Sequence, residues 1–495
     1  MIPDIWRIGE IAVIGLGKSG TAVSTLLARE GAKVYASDGA NTAAVETSAA
    51  LLRPIGVTVD VGRHDLERIA HATLVVASPG VPPDAPPLVR ARAAGLPIIG
   101  EIEVALHAIP GLRYIAVTGT NGKSTVTAMI AHLLRGLGLD AVAAGNIGMP
   151  LAEVALRDRR PDWVALEVSS FQLHDTPSID PAVGVVTNLS ADHLDRYATV
   201  DEYYADKAML FRNASDRSKW VLNGDDEAVL HLAERRPVTP PRGAARIDQV
   251  DATSGPEAAS AAPVTPRAPL RGDSYLVSLE RRDAAAWYDR EQDRLVVLGK
   301  PLVSRADLPL IGDHNVANAL FATLAVMVAD AGHERADARA RLAEALRTFQ
   351  GLPHRLELAG VYDDVRWIND SKATNVSSTL VALRGMHQPT ILLLGGRHKG
   401  EPYTALAPEL RRTVRTVIAY GESAPTIVAD IGGVVPTEQL GRSFEEVIDR
   451  ARELAQAGDA VLLSPACSSY DMFKNYEERG TTFKRLAGAK EDEKR

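Results

Sequence analysis

The residues best suited to chemistry are Lys123 and Ser124, which close the run Val117-Thr-Gly119-Thr120-Asn121-Gly122-Lys-Ser-Thr125. Glycines, small polar residues and a lysine in this spacing suit a polyanion. Backbone N–H groups and the positive end of a following helix hold phosphates, the lysine reaches the β- and γ-phosphates, and the hydroxyl ligates magnesium. The usual pattern carries a glycine where this chain has Val117, so the loop is a variant form. Residues 114–117 form a short apolar strand and the chain from Lys123 onward reads as a helix, the setting such a loop needs. A second glycine turn, Gly15-Leu-Gly17-Lys18-Ser19-Gly20, follows the apolar residues 11–14, and Asp38 ends the next strand. That spacing fits a dinucleotide fingerprint, and equally a turn for any phosphate-bearing ligand or for close helix–strand packing.

The elements that must position these residues alternate. In the middle of the chain, apolar residues 141–144 lead to Gly145-Asn146, 163–166 to Glu167-Val-Ser169-Ser170, and 183–186 to Thr187-Asn188-Leu-Ser-Ala-Asp192-His193. Further on, 366–368 lead to Asn369-Asp370-Ser-Lys372-Ala-Thr374, 390–394 to Gly395-Gly396-Arg-His-Lys399, and 460–463 to Ser464-Pro-Ala-Cys467-Ser-Ser469-Tyr470. Polar clusters after apolar strands describe parallel α/β sheets, whose ligands collect at strand C-terminal ends. Near the start, residues 74–77 form another such strand before Ser78-Pro-Gly80, while Pro82, Pro83, Pro86 and Pro87 interrupt the pattern. Two strand-like runs, 274–278 and 287–298, precede a helix starting near Gly312, on which Asn315 and Asn318 share a face. Paired amides there could meet the edge of a base, or cap the helix.

At 495 residues the chain is long enough for about three domains. The expected division is 1–100, 101–350 and 351–495, with a hinge at Gly351-Leu-Pro-His354-Arg355. The segment 237–271, rich in Pro, Ala, Thr and Ser, reads as a mobile insertion in the central domain. A net charge of −8 argues against a nucleic-acid surface. The single cysteine, Cys467, excludes an internal disulfide framework and fits a reducing compartment. The first residues lack the order of a signal peptide, and no apolar run reaches the roughly 18 residues of a membrane helix. A cytoplasmic protein without membrane or nucleic-acid partners is the expectation, and a monomer.

Thr-Gly-Thr-Asn-Gly-Lys-Ser-Thr, Glu-Val-Ser-Ser-Phe-Gln-Leu and Asp-His-Leu-Asp, in this order, resemble the Mur ligases, the ATP-dependent amide-forming enzymes of peptidoglycan synthesis. Residues 369–375 and 463–471 resemble the branch that adds D-glutamate to UDP-N-acetylmuramoyl-L-alanine. The resemblance implies three α/β domains: a Rossmann-like UDP-binding sheet, a central P-loop ATPase-like sheet and a Rossmann-like C-terminal sheet. It implies ATP and two magnesium ions as cofactors, with Lys123, Glu167, His193 and Lys207 as the catalytic set. Ser124 and Glu167 would hold one metal, and His193 with a carbamylated Lys207 the other. ATP would take Gly119 to Thr125, with Asn315 and Asn318 at the adenine, His354 and Arg355 approaching from the hinge, and Asp370 near the ribose. The UDP-substrate would take Gly17, Lys18, Ser19, Gly20, Asp38, Ser78 and Gly80, with Asn146, Ser169 and His193 toward its sugar–lactyl–alanine part. After Asp38 stand Gly39 and Ala40, where a larger polar residue would be the natural uracil clamp. D-Glutamate would take Lys372, Thr374, Lys399, Ser469, Tyr470 and Tyr476, two cations suiting two carboxylates. Cys467 has no role in this chemistry. The rival readings are a sister ligase with another acceptor, a folate polyglutamylating enzyme, a nicotinamide dehydrogenase fused to an ATPase, and a nucleotide sensor that does not consume ATP. Rotation of the third domain on the 351–355 hinge completes the expectation.

Overall fold

The computed structural model describes residues 2–192, 196–234 and 270–492. His193 and nearly all of the 237–271 segment therefore lie outside the described residues.

Twenty strands form three sheets among the described residues. The first holds β1 (Glu10–Ile14), β2 (Lys33–Asp38), β3 (Thr58–Val61), β4 (Leu74–Ala77) and β5 (Ile98–Gly100), all parallel in the order β3-β2-β1-β4-β5. The near-continuous apolar runs of β1 and β4 are buried throughout, as strands covered on both faces require. The helix Pro86–Ala93 follows β4, with two of the prolines that interrupt the sequence pattern at its first positions. The first N–H of a helix has no partner in the helix, and proline's fixed φ is already helical, so these prolines open the element instead of breaking it.

The second sheet contains β6 (Tyr114–Thr118), β7 (Ala141–Gly145), β8 (Trp163–Glu167), β9 (Val183–Val186), β10 (Lys219–Asn223), β11 (Asp273–Ser278), β12 (Ala286–Asp289), β13 (Arg294–Val297) and β14 (Lys300–Ser304). Its order is β14-β13-β12-β11-β10-β9-β6-β8-β7, and the β12–β13 and β13–β14 pairings are antiparallel. The run 287–298 is thus two strands. Its polar centre, Arg290 to Asp293, turns the chain, with Asp293 in the left-handed region at φ +50°, and Trp287 pairs with Val296. The helices Lys18–Arg29, Glu101–Ala108 and Leu151–Ala155 pack on one another, with Leu26, Ala105 and Leu151 buried between the first two sheets.

That shared core joins the first two sheets into one compact unit, 1–305 with 318–347. The other unit, 306–317 with 348–495, is built on β15 (Glu357–Tyr362), β16 (Val365–Asn369), β17 (Thr390–Gly395), β18 (Val414–Tyr420), β19 (Thr437–Gln439) and β20 (Ala460–Leu463). Its order is β15-β16-β20-β17-β18-β19, parallel except for the hairpin of β15 and β16. The helix Asp313–Ala329 crosses from one unit to the other, so Asn315 and Asn318 belong to different units.

Candidate active site

The phosphate loop leaves β6 at Thr118 and enters the helix Lys123–Gly136. Gly119 and Gly122 have φ of +136° and +83°, and a Cβ on Gly119 would lie 2.1 Å from Thr187 Oγ1. A Cβ on Gly122 would lie 2.6 Å from Asn318 Oδ1, so the asparagine on the later helix rests directly against the loop. The loop is stapled to the end of β9: Asn121 N donates to Asn188 Oδ1 (2.8 Å), while Asn188 Nδ2 (2.9 Å) and Thr187 Oγ1 (2.6 Å) donate to Asn121 O. Thr120 Oγ1 donates to Ser190 O (3.1 Å). Lys123 curls back and donates to Gly119 O (3.0 Å) and Thr120 O (2.8 Å); Ser124 and Thr125 are buried.

Beside the loop, Val117 pairs with Glu167 across β6 and β8. Glu167 is 1% exposed; one oxygen accepts from Asn146 Nδ2 (2.8 Å) and the other has no hydrogen-bond partner among the described residues. Lys207, also 1% exposed, donates to Gly119 O (2.7 Å) and lies 4.6 Å from the centre of the Tyr203 ring. Burial, reinforced by repulsion from Lys123, pushes its pKa well below the ordinary lysine value. Ser169 caps the helix Ser170–His174 in a reciprocal box with Gln172, which occupies its hydroxyl.

In the same unit a cleft of about 550 Å³ is lined by Gly17, Lys18, Ser19, Asp38, Ser78, Gly80 and Asn146, and also by His64 and Gln172. Gly20 contributes by packing, since a Cβ there would meet Gly15 O at 1.8 Å. Asp38 is engaged by the backbone: Leu16 N and Ala40 N each donate to it at 2.8 Å. Ser78 Oγ donates to Gly15 O (2.9 Å) and fixes the glycine turn against β4.

The second unit gathers the other cluster. Lys372 Nζ donates to Tyr476 OH (2.8 Å) and lies 4.3 Å from that ring's centre, and Lys399 Nζ reaches Thr374 Oγ1 (3.4 Å). Ser469 is buried and Tyr470 is 65% exposed. Asp370 accepts from Ser464 Oγ (2.8 Å) and Leu356 N (3.2 Å), and burial pushes its pKa up to about 7, against the pull of Arg355. His354, at φ +63°, accepts at Nδ1 from Asn369 Nδ2 (2.9 Å), and burial lowers its pKa. Asn315 Nδ2 donates to Ile311 O (2.8 Å), a local bond to the carbonyl four residues earlier. Cys467 is fully buried beside Tyr403 OH (2.9 Å), and burial raises its pKa, so it remains a packed thiol. Sequence reasoning passed over Arg479, a fully buried guanidinium that donates to Ser371 Oγ (3.0 Å), Ser371 O (2.8 Å) and Cys467 O (3.1 Å). It ties the loop after β16 to the loop after β20. No group of three or more His, Cys, Asp or Glu side chains able to hold a metal occurs among the described residues.

A glycine-turn sheet, a phosphate-loop sheet and a third sheet with lysines at its strand ends are the parts of a Mur ligase. The family models agree: residues 9–100 match the Mur ligase MurD-like N-terminal domain, 117–253 the Mur ligase middle domain and 354–467 the Mur ligase glutamate ligase domain. The chain is 38% identical to the UDP-N-acetylmuramoylalanine--D-glutamate ligase of Salinibacter ruber over 98% of this chain and 99% of that one. It is 39% identical to the ligase of the same name from Anaeromyxobacter dehalogenans, over 96% and 97%. Its fold is that of UDP-N-acetylmuramate-alanine ligase MurC from Thermotoga maritima (TM-score 0.56, 18% identity, 98% and 100% covered). The chain belongs to the Mur ligase family, in the branch of the UDP-N-acetylmuramoylalanine--D-glutamate ligases.

Proposed function

We propose that this chain joins D-glutamate to the carboxylate of UDP-N-acetylmuramoyl-L-alanine at the expense of ATP, as a cytoplasmic monomer making a peptidoglycan precursor. The observation that carries the reading is the phosphate loop lying beside a buried carboxylate, Glu167, that has an oxygen without a hydrogen-bond partner among the described residues. No helix among the described residues is long and apolar enough to cross a membrane.

The donor set fits magnesium. A hard cation takes oxygen ligands, and Glu167 and Ser124, with His193 outside the described residues, are the groups that would hold it. When bound, magnesium neutralises charge on the transferring phosphoryl group. The remaining work falls to the chain. Loop amides and Lys123 hold the phosphates in line with the substrate carboxylate. That carboxylate attacks the γ-phosphorus and ADP leaves, giving an acyl phosphate. The neutral amine of D-glutamate attacks the acyl carbon, phosphate departs, and an amine proton leaves with it. Lys372 and Lys399 hold the two carboxylates of the incoming amino acid. Burial, which lowers the Lys207 pKa, raises the share of neutral amine, the form that would add to CO₂ with formation of an N–C bond and release of a proton, leaving an anionic carbamate in place of the amine.

Phosphate release with ATP, Mg²⁺ and UDP-N-acetylmuramoyl-L-alanine tests the reading when D-glutamate is compared with L-glutamate, L-alanine and no amino acid. Release that needs D-glutamate is expected. Release that needs another acceptor would keep the ligase chemistry and overturn the acceptor assignment; no release with any acceptor would overturn both.

A further inference from the structure

The strand order of the first sheet lays out the cleft in a line. Ser78 follows β4, Gly17 and Lys18 follow β1, Asp38 ends β2 with Gly39 and Ala40 after it, and His64 follows β3. Central-sheet residues approach on the β4 side, where Arg196 reaches Pro79 O (3.4 Å). A substrate whose diphosphate rests on the glycine turn therefore directs its sugar toward β4 and its nucleoside toward β2 and β3.

We propose that His64 reads the uracil base, a specificity role that rests on the UDP-substrate reading of this cleft. Asp38 accepts one backbone amide on each oxygen and holds the turn, and Gly39 and Ala40 bring no polar side chain. His64 brings one from the neighbouring strand. Its Nδ1 lies 2.9 Å from the hydroxyl of fully buried Ser37, which anchors the ring. Its Nε2 faces the backbone of Gly39, where a Cβ would stand 3.2 Å away; glycine leaves that nitrogen uncovered. Burial lowers the imidazole pKa, so the ring is neutral at pH 7 and offers one hydrogen-bonding nitrogen and a flat face. A uracil edge, with carbonyl oxygens flanking an N–H, complements such a group, and a cytosine edge presents a different order of donors and acceptors.

The test is binding of UDP and of CDP to the full chain with the ATP site filled by a non-hydrolysable analogue, together with steady-state kinetics. His64→Ala is expected to weaken UDP binding about 10-fold, the loss of one hydrogen bond and a stacking face, and CDP binding much less. The loss should appear in KM for the UDP-substrate and not in kcat, and His64→Gln should restore part of it. Gly39→Val, at an exposed position, should reproduce the effect by covering Nε2, and carries the test alone if His64→Ala does not fold. Unchanged UDP binding in both variants, or equal loss of UDP and CDP, overturns the role of His64. A wild-type chain that does not bind UDP overturns the reading of the cleft itself.

Discussion

Glu167 holds a buried carboxylate oxygen without a hydrogen-bond partner among the described residues, an arrangement that costs stability unless a cation completes it. Glu167→Gln removes the buried carboxylate. Phosphate release should fall about 100-fold or more while the metal-free protein gains stability, on the order of 1 kcal/mol in thermal unfolding. A drop in Tm would refute the idea that this oxygen is held at a cost. Glu101 makes a different prediction. It is buried, accepts a hydrogen bond from Ala152 N, and burial pushes its pKa up to about 7 from 4.5. The native state therefore holds a proton that the unfolded chain releases at lower pH. The stabilisation is complete below pH 4.5 and lost as pH rises through 7, roughly 3 kcal/mol in all. Glu101→Gln should flatten that slope, gaining on the wild type from pH 5 to pH 8; parallel curves would place the titration elsewhere. Neither property can be read from a sequence, because a Glu after Gly100 and a Glu after Leu166 look alike until burial is known.

At the scale of elements, the phosphate loop depends on two close approaches. Gly122→Ala puts a side chain in the left-handed region and a Cβ 2.6 Å from Asn318 Oδ1. A loss of about 1–3 kcal/mol is expected, with KM for ATP rising and that for the acceptor unchanged. Asn188→Ala removes both side-chain bonds to Asn121 and should also raise KM for ATP, with little change in Tm, since the strands that carry the loop stay paired. An unaltered KM in either variant would separate this loop from nucleotide binding. The strand–loop–helix unit was legible because apolar runs and glycines act locally. Asn188 stood in view within a polar cluster, yet its task is set by a residue 67 positions away. The reverse error occurred at Pro86 and Pro87, read as interruptions because their helix has too weak an apolar pattern to show where it begins.

On the proposed reading, the glycine loop with Lys123 belongs to one compact unit and Lys372 and Lys399, assigned to the incoming amino acid, belong to the other. Substitutions in the two should leave different kinetic signatures. Lys123→Ala should abolish phosphate release under all conditions, whereas Lys372→Ala should raise KM for the amino acid at least 10-fold with ATP binding intact. A rise in KM for ATP alone in Lys372→Ala would contradict the division. The sequence by itself determined the alternating α/β class, the strands that carry each polar cluster and the chemical types gathered at their ends, because periodicity and turn chemistry are local. Tertiary structure alone decided that the first two sheets share one core, that Asp38 and Ser169 serve the backbone, that Arg479 braces loops with Ser371 108 residues away, and that His64 enters the cleft. Each of these rests on which groups burial leaves to find partners far along the chain, and a buried polar group takes whichever partner the packing brings within reach.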